Sequence, residues 1–248
     1  MDKNTLLYVI AALLFGFIGG FLLANSMNRS EMAALRAGAV QPVAAANSGA
    51  TNTASDPVLS EAEIKAKIAE ADNNPSNFQF QKDLGTALYK YAAMKQQVGL
   101  LPETIRILTR AASLNDKDFE VLAALGNAHF DLGFNNKDAD EFQKARDVYA
   151  RALAAKPGDA DVATDSSITY YVQSPPDYAK AASSLEKVAS ANPQHTRSMQ
   201  FLAQAYVKMG RISDAQKTLD KIRSIDPSND AISDLTQQIA AALGGKAQ

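Results

Sequence analysis

The sequence predicts an all-α protein: an α-solenoid of about four helical hairpins with flanking helices, preceded by one transmembrane helix. Three observations predict it, namely an uncharged apolar run near the N-terminus, a repeating unit along most of the remaining chain, and a proline closing most repeats. Such repeats are typical of stacked helical units, and proline cannot continue a helix. The expected segments are a short flank at 1–5, a transmembrane helix at 6–28, a linker at 29–59, an N-terminal helix at 60–74, the solenoid at 75–229, and a capping helix and tail at 230–248.

Composition excludes several classes of function. The chain has 248 residues, of which 46% are hydrophobic, and this fraction is ordinary for a folded protein. A net charge of -2 gives no field that would gather nucleic acid, so no nucleic-acid partner is expected. Cysteine is absent and there are only two histidines, which leaves no thiolate chemistry and few metal ligands. We expect no cofactor, no metal and no enzymatic activity.

The N-terminal run from Leu6 to Ala24 is apolar throughout. About 19 helical residues rise roughly 28 Å, which matches the hydrocarbon core of a bilayer. A retained membrane anchor that contacts the lipid bilayer is the favoured interpretation. A cleaved signal peptide is the alternative, since Ala24-Asn25-Ser26 could serve as a cleavage site.

Small residues recur every four positions along this run. They are Ala12, Gly16, Gly20 and Ala24. Such a stripe lets a second helix approach closely, and it predicts a helix–helix contact and a homo-oligomer formed through the membrane helix. The alternative is that glycine and alanine are simply common in membrane helices. Lys3 before the run and Arg29 and Arg36 after it are too evenly balanced to set the orientation.

The linker is uncharged between Arg36 and Asp56 and consists mainly of Ala, Ser, Asn, Thr and Gly. It has no helical or strand periodicity, so we expect a flexible tether. Tethers of this composition are frequent in exported bacterial segments. We therefore expect a single-pass protein of the bacterial inner membrane with its folded part in the periplasm.

The folded part begins with a helix-start signal. Ser60 followed by Glu63 forms a capping-box pattern ahead of the apolar positions Ile64, Ile68 and Ala71. This predicts a helix at about 60–72.

Self-comparison of the remaining sequence reveals the repeat. The pair Leu84-Gly85 recurs as Leu125-Gly126, and a proline recurs at Pro157, Pro193 and Pro227. The steps between equivalent positions are about 41 residues in the first units, shortening to about 34 in the last, which is the range of helical repeat families. Whole units therefore repeat, rather than single residues.

These units resemble the tetratricopeptide-repeat (TPR) family between about residues 77 and 229. The last unit carries Leu202, Ala203, Tyr206, Gly210, Ala215, Leu219, Ile222 and Pro227 at the family's marked positions. The second carries Leu125, Gly126, Gly133, Ala145, Tyr149, Ala152 and Pro157, and the first carries Leu84, Gly85, Leu88, Leu108 and Ala111. The third is degenerate: Ser166-Ser167 replace the Leu-Gly pair, while Tyr170, Ala181, Leu185, Val188 and Pro193 remain. The resemblance implies a right-handed solenoid of antiparallel hairpins.

Two further features follow from this alignment. Units one and two each have seven extra residues, about two helical turns, which should lengthen helices or loops and make these units protrude on one side. After Pro227, the residues Ala231, Leu235, Ile239 and Leu243 predict an amphipathic helix that closes the solenoid.

The residues that could act in catalysis or metal binding are predicted to have structural roles instead. His129 stands at a position that packs inside a hairpin, so a partly buried, hydrogen-bonded histidine is expected, and His195 lies in a turn. Asp138, Asp140 and Glu141 cluster at a predicted helix start, where they favour the helix dipole. Ser166-Ser167 have no base placed beside them and are interpreted as local sequence drift.

The resemblance also implies a peptide-binding groove lined by the first helix of each unit. In the first two units the lining residues are Gln79, Lys82, Thr86, Tyr89, Lys90, Glu120, Ala123, Asn127, Phe130 and Asp131. In the last two they are Asp161, Thr164, Ile168, Tyr171, Val172, Arg197, Gln204, Val207 and Lys208. Tyr89, Phe130 and Tyr171 are expected to form an aromatic ladder. The flanking lysines and Arg197 suggest a ligand with an acidic or C-terminal carboxylate feature.

Three functions are consistent with this organisation. The leading hypothesis is a membrane-anchored interaction scaffold or adaptor that holds partner or client proteins at the membrane for complex assembly. The second, by resemblance, is an apocytochrome chaperone like the TPR module of cytochrome c maturation factors. The third is a structural subunit of an envelope complex or filament.

Overall fold

The computed structural model describes residues 60–244, which contain ten α-helices and no β-strand. In chain order they are α1 Glu61–Asn73, α2 Phe78–Lys95, α3 Leu101–Leu114, α4 Phe119–Asn136, α5 Ala139–Ala155, α6 Ala160–Val172, α7 Tyr178–Ala191, α8 Thr196–Lys208, α9 Ile212–Ile225 and α10 Ala231–Gly244. A short 3-10 helix, Val98–Leu100, precedes α3. The predicted flank, transmembrane helix, small-residue stripe and linker at 1–59, and the tail after 244, lie outside the described residues. None of the described helices combines the length and hydrophobicity required to cross a bilayer.

Helix α1 begins with the predicted capping box. The Ser60 hydroxyl oxygen accepts from the Glu63 backbone N–H at 3.3 Å, and the Glu63 carboxylate accepts from the Ser60 backbone N–H at 2.8 Å. Ile64 and Ala71 are buried, as the apolar spacing predicts, and Ile68 is half-buried. Reciprocal capping satisfies two backbone donors that the first helical turn cannot satisfy itself.

Helices α2 to α9 form four antiparallel hairpins in chain order, α2/α3, α4/α5, α6/α7 and α8/α9. Five of these helices start at an Asn or Asp side chain that accepts from backbone N–H groups of the first turn: Asn77, Asp118, Asp138, Asp159 and Asp177. Short polar side chains hold the unpaired N–H groups of a helix start, and so fix where each helix begins. In the acidic cluster predicted at the start of α5, Asp138 is the capping residue, and Asp140 and Glu141 lie in the first turn.

Glycines bring the two helices of a hairpin together. A β-carbon built on Gly126 would lie 2.5 Å from the Tyr149 ring, and one built on Gly85 would lie 2.7 Å from the Leu108 side chain. Tyr149 and Leu108 are almost completely buried. A large side chain on the second helix therefore fills the space that the glycine leaves on the first.

The seven-residue insertions of hairpins one and two are mostly helical. Helices α2 and α4 have 18 residues each, whereas α6 and α8 have 13 each. Five more residues extend a helix by about 7 Å. The first two hairpins therefore extend beyond the last two at the C-terminal ends of α2 and α4.

Within hairpin two, His129 and Glu141 form a buried pair. The His129 Nδ1 lies 2.6 Å from a Glu141 carboxylate oxygen, and the other oxygen accepts from Lys144 at 2.5 Å. This confirms the expectation of a buried, hydrogen-bonded His129. Burial opposes the charge on Glu141, but its bonds to Lys144 and His129 outweigh burial and lower the pKa of Glu141.

Helix α10 closes the C-terminal end. Ala231, Leu235 and Ile239 are buried against the cluster formed by α7, α8 and α9. The apolar spacing predicts Leu243 on the same stripe, but this residue lies in the last turn and is 57% exposed. Thr236-Gln237, which align with Leu202-Ala203 of the last unit, are polar and exposed, so the surface that would receive another helix is hydrophilic.

Candidate protein-binding groove

The first helices of the hairpins line one side of the array. Helix α2 contacts α4, α4 contacts α6, α6 contacts α8, and α8 contacts α10, while no comparable contact joins successive second helices within residues 60–244. Closer packing on one side bends a stack of hairpins toward that side. The inner surface is therefore formed by α2, α4, α6 and α8, and we call this surface the groove.

The N-terminal part of the groove is held by ion pairs between α2 and α4. The Lys82 ammonium lies 2.9 Å from the Asp118 carboxylate and 3.0 Å from that of Glu120, and Lys90 lies 4.0 Å from Glu120. Partial burial opposes the charge on Lys82, but hydrogen bonds to Asp118 and Glu120 outweigh it and raise the pKa of Lys82. Both predicted cationic contacts of α2 are thus already neutralised by acidic neighbours.

The centre of the groove is polar, and it is supported by the buried Tyr149 of α5. The Tyr149 hydroxyl donates to Asn127 at 2.7 Å, and the Tyr89 hydroxyl donates to Asp131 at 3.1 Å. Burial raises the pKa of the Tyr149 hydroxyl well above its ordinary value. Three of the predicted groove residues, Tyr89, Asn127 and Asp131, are therefore each engaged in a hydrogen bond.

The C-terminal part of the groove joins α6 to α8 through Arg197. Its guanidinium donates to the Asp165 carboxylate and lies 3.8 Å from that of Asp161. The ring of His195, which caps α8, also lies 3.2 Å from Asp161. Arg197 is thereby engaged by two carboxylates of the preceding hairpin.

The three aromatic residues of the expected ladder are all half-buried. Phe130 packs edge-on against Phe142 at 5.7 Å and stacks with Phe134 at 6.5 Å between ring centroids. Tyr171 packs edge-on against Tyr178 at 5.1 Å. Each of these two rings is therefore held by an aromatic partner of its own hairpin.

Three predicted lining residues, Thr86, Thr164 and Ile168, are buried and do not face the groove. Thr86 is buried, and its hydroxyl donates to the Lys82 carbonyl at 2.9 Å. Thr164 and Ile168, which the family positions also assign to the groove, are buried as well. Packing between neighbouring first helices covers these positions, so they support the groove from beneath.

The remaining predicted residues lie at the surface. Glu120, Asp161, Gln79 and Lys208 are exposed, and Ala123, Val172, Gln204 and Val207 are half-buried. Gln79 donates to Asp83 on its own helix at 2.8 Å. Within residues 60–244 no group of three or more His, Asp or Glu side chains is arranged to hold a metal ion.

Three groove residues were not predicted from the sequence: Asp118, Asp165 and His195. Asp118 and His195 occupy the capping position before a first helix, two residues ahead of Glu120 and Arg197 respectively. A capping signal was available for Asp118, but its pairing with Lys82 on another helix depends on how the hairpins stack. The same applies to Asp165 and Arg197, which are 32 residues apart in the sequence.

Comparison with known proteins agrees with this geometry. Residues 177–239, which span α7 to most of α10, match the sequence model of the family described as Tetratricopeptide repeat. No curated protein sequence matches the chain at a significant level.

Solved structures show a similar fold. A crystal structure of the MamA protein has a TM-score of 0.53 and 26% identity, and the match covers 66% of this chain and 81% of MamA. A second crystal structure of MamA gives the same TM-score and identity over 66% of this chain and 87% of that one. TTC0263, a thermophilic TPR protein in Thermus thermophilus, has a TM-score of 0.50 and 18% identity over 74% of this chain and 90% of its own. The described residues thus have a TPR-like solenoid fold.

Proposed function

We propose that this chain is a membrane-anchored TPR scaffold that binds partner proteins in the groove and holds them at the membrane for complex assembly. The observation that carries the proposal is the continuous row of four first helices with half-buried aromatic rings and accessible amide groups. A surface of this kind offers apolar contacts and hydrogen bonds to an extended or helical segment.

The charges of the groove refine the chemistry of the ligand. Lys82, Lys90 and Arg197 each pair with an acidic side chain of a neighbouring helix. A ligand carboxylate would have to displace these partners. We therefore propose a ligand held through Tyr89, Phe130, Tyr171 and Gln204, rather than by a cluster of unpaired lysines.

Membrane attachment is the second component of the proposal and rests on the apolar run at Leu6 to Ala24. A retained helix there, followed by an uncharged tether, would keep the solenoid close to the bilayer while letting it turn. We propose the periplasmic side of a bacterial inner membrane as the location. Cell fractionation with protease protection of the full chain tests both the retention and the side.

The groove is tested by recovering partners with the full chain, in the wild-type form and with Tyr89→Ala combined with Lys90→Ala. The matched control combines Arg151→Ala with Lys187→Ala, which alters two exposed residues on the second helices α5 and α7. We expect the groove variant to lose its partners and the control to keep them. Unchanged recovery with the groove variant contradicts the groove assignment.

A further variant separates loss of binding from loss of folding. Gln204 is half-buried on α8 and belongs to the proposed ligand contacts, so Gln204→Ala should leave the fold intact and weaken a partner that spans the whole groove. The identity of the recovered proteins then distinguishes the roles. Apocytochromes indicate maturation, a fixed set of membrane subunits indicates a structural subunit, and varied clients indicate an adaptor.

A further inference from the structure

The junction between hairpins two and three differs from the other junctions in its charges. Helices α4 and α6 carry only acidic charged residues, which are Glu120, Asp131, Asp161 and Asp165. Helices α2 and α8, on either side, supply the cations that pair with them. Ion pairs therefore join α2 to α4 and α6 to α8, whereas neither α4 nor α6 carries a lysine or arginine that could pair with the other.

Helix α6 is also unusually polar on its buried side. Thr164, Ser167 and Thr169 are buried, and each hydroxyl donates to a carbonyl of the same helix, at distances between 2.6 and 2.7 Å. Ser166-Ser167 stand where the second hairpin has Leu125-Gly126. Hydroxyls that bond within their own helix add little apolar contact with the neighbouring hairpins, so α6 is held less firmly than α4.

Two of the four hydrophobic clusters of the described residues are separated at the same place. One cluster extends from Leu108 through hairpin two and ends at Val162, in the first turn of α6. Another begins at Ala182 in α7 and continues to Ile239, with Tyr171 of α6 packed against it. Helix α6 thus lies at the boundary between two separately packed clusters.

A polar contact bridges this boundary. Arg146 of α5 donates to the Thr169 hydroxyl at 3.0 Å and to the Gln173 amide oxygen at 3.2 Å, and its guanidinium lies 4.5 Å from the centre of the Tyr170 ring. Its Nε is buried with no hydrogen-bond partner. An unpaired buried donor weakens a contact, so this bridge is less stabilising than an apolar one.

The difference in helix length removes further support. Helix α4 is five residues longer than α6, 18 against 13. Phe134, in the last turns of α4, is 57% exposed and stacks on the neighbouring ring of Phe130. The end of α4 therefore extends past α6, and the two first helices pack more sparsely than α2 with α4.

From these features together we propose that the junction between hairpins two and three is a hinge. It divides the described residues into an N-terminal body at 60–155 and a C-terminal body at 160–244. The two bodies tilt about the turn between Ala155 and Asp159, and this movement opens and closes the groove between α4 and α6. The inference rests on packing and does not depend on the proposed function.

Paired spin labels test the hinge, because the chain has no native cysteine. Ala150→Cys with Lys187→Cys, on α5 and α7, reports across the junction between hairpins two and three alone. Thr109→Cys with Ala150→Cys and Lys187→Cys with Lys217→Cys report within each body, and all four sites are exposed. In the full chain we expect a broader distance distribution across the junction than within either body. Equal widths for the three pairs would overturn the proposal.

A second measurement perturbs the bridge. Arg146→Lys keeps the charge but lacks the planar guanidinium that donates to both Thr169 and Gln173. It should therefore broaden the distance distribution across the junction further. Arg151→Lys on the same helix changes an exposed residue and should have no effect. Hydrogen exchange of the full chain should show amides of α6 protected about tenfold less than those of α4 and α8. Equal protection of the three helices would contradict the hinge.

Discussion

The ring of Tyr149 lies directly against Gly126, so closely that a β-carbon at position 126 would be 2.5 Å from the ring. Tyr149 is 1% exposed and donates its hydroxyl to Asn127, so the ring is fixed in place on both sides. This contact joins the two helices of hairpin two at the centre of the groove. It has a direct consequence for stability.

Gly126→Ala should lower the free energy of unfolding by about 1 to 3 kcal/mol, because the added methyl group overpacks a rigid site. The gain in helix propensity from alanine, about 1 kcal/mol, offsets only part of this cost. Gly99→Ala is the control, since a β-carbon there meets no atom within 4 Å. In urea denaturation the control should be at least as stable as the wild type, and a Gly126→Ala protein as stable as the wild type would refute the tight contact.

Gln81 ties the end of α1 to α2. It is completely buried, and its amide donates to the Ala71 carbonyl at 2.7 Å and to the Asn74 carbonyl at 3.0 Å. Gln81→Ala leaves these acceptors without this donor and should cost about 1 to 3 kcal/mol. Gln79→Ala, a change at an exposed position of α2, should stay within about 0.5 kcal/mol of the wild type. Thermal unfolding of the pair measures the difference, and equal melting temperatures would show that the buried amide contributes nothing.

Leu235 and Leu243 test the capping helix. Leu235 is completely buried in α10, whereas Leu243 is 57% exposed. Leu235→Ala should destabilise the protein by about 2 to 5 kcal/mol through lost burial and a new cavity. Leu243→Ala should change stability by less than about 0.5 kcal/mol. The reverse order in chemical denaturation would contradict the way α10 packs.

Asp72 predicts a pH dependence at the N-terminal end. Hydrogen bonds from Arg106, at 2.5 and 3.0 Å, and from Arg110, at 2.9 Å, lower the pKa of Asp72 to about 2. A carboxyl whose pKa is lower in the folded state stabilises the fold above its unfolded pKa, and this contribution is lost as the pH falls through the folded value. The attachment of α1 should therefore weaken as the pH falls from about 4 to about 2.

The measurement is hydrogen exchange of α1 across this pH range in the wild type, in Asp72→Asn and in Glu70→Gln. Asp72→Asn should remove part of the pH dependence, because the titrating group is gone. Glu70, which pairs with Lys67 on the same helix, should have no such effect when it is changed to glutamine. Identical profiles for the wild type and Asp72→Asn would show that the pairs with Arg106 and Arg110 do not anchor α1.

Local signals determined most of the helical architecture. The capping box at Ser60 and Glu63, the Leu84-Gly85 and Leu125-Gly126 pairs and the prolines that end the last three repeats depend on residues close in sequence. They indicate where helices start, meet and stop. Seven extra residues preserve the apolar face, which is why the insertions appear as longer helices. Leu243 was misassigned because periodicity cannot tell that a position falls in an exposed last turn.

Sequence alone thus determined that the described part is a stack of helical hairpins. It also determined which positions bring the two helices of a hairpin together, since close packing requires small and large residues at fixed spacing. Only the tertiary structure decided what the groove presents. Lys82 meets Asp118 and Glu120, Arg197 meets Asp165, and Thr86 is covered, because charges and faces on different hairpins are brought together by stacking. The sequence contains those charges, but their partners are set by the distances between helices of successive hairpins, which are far apart along the chain.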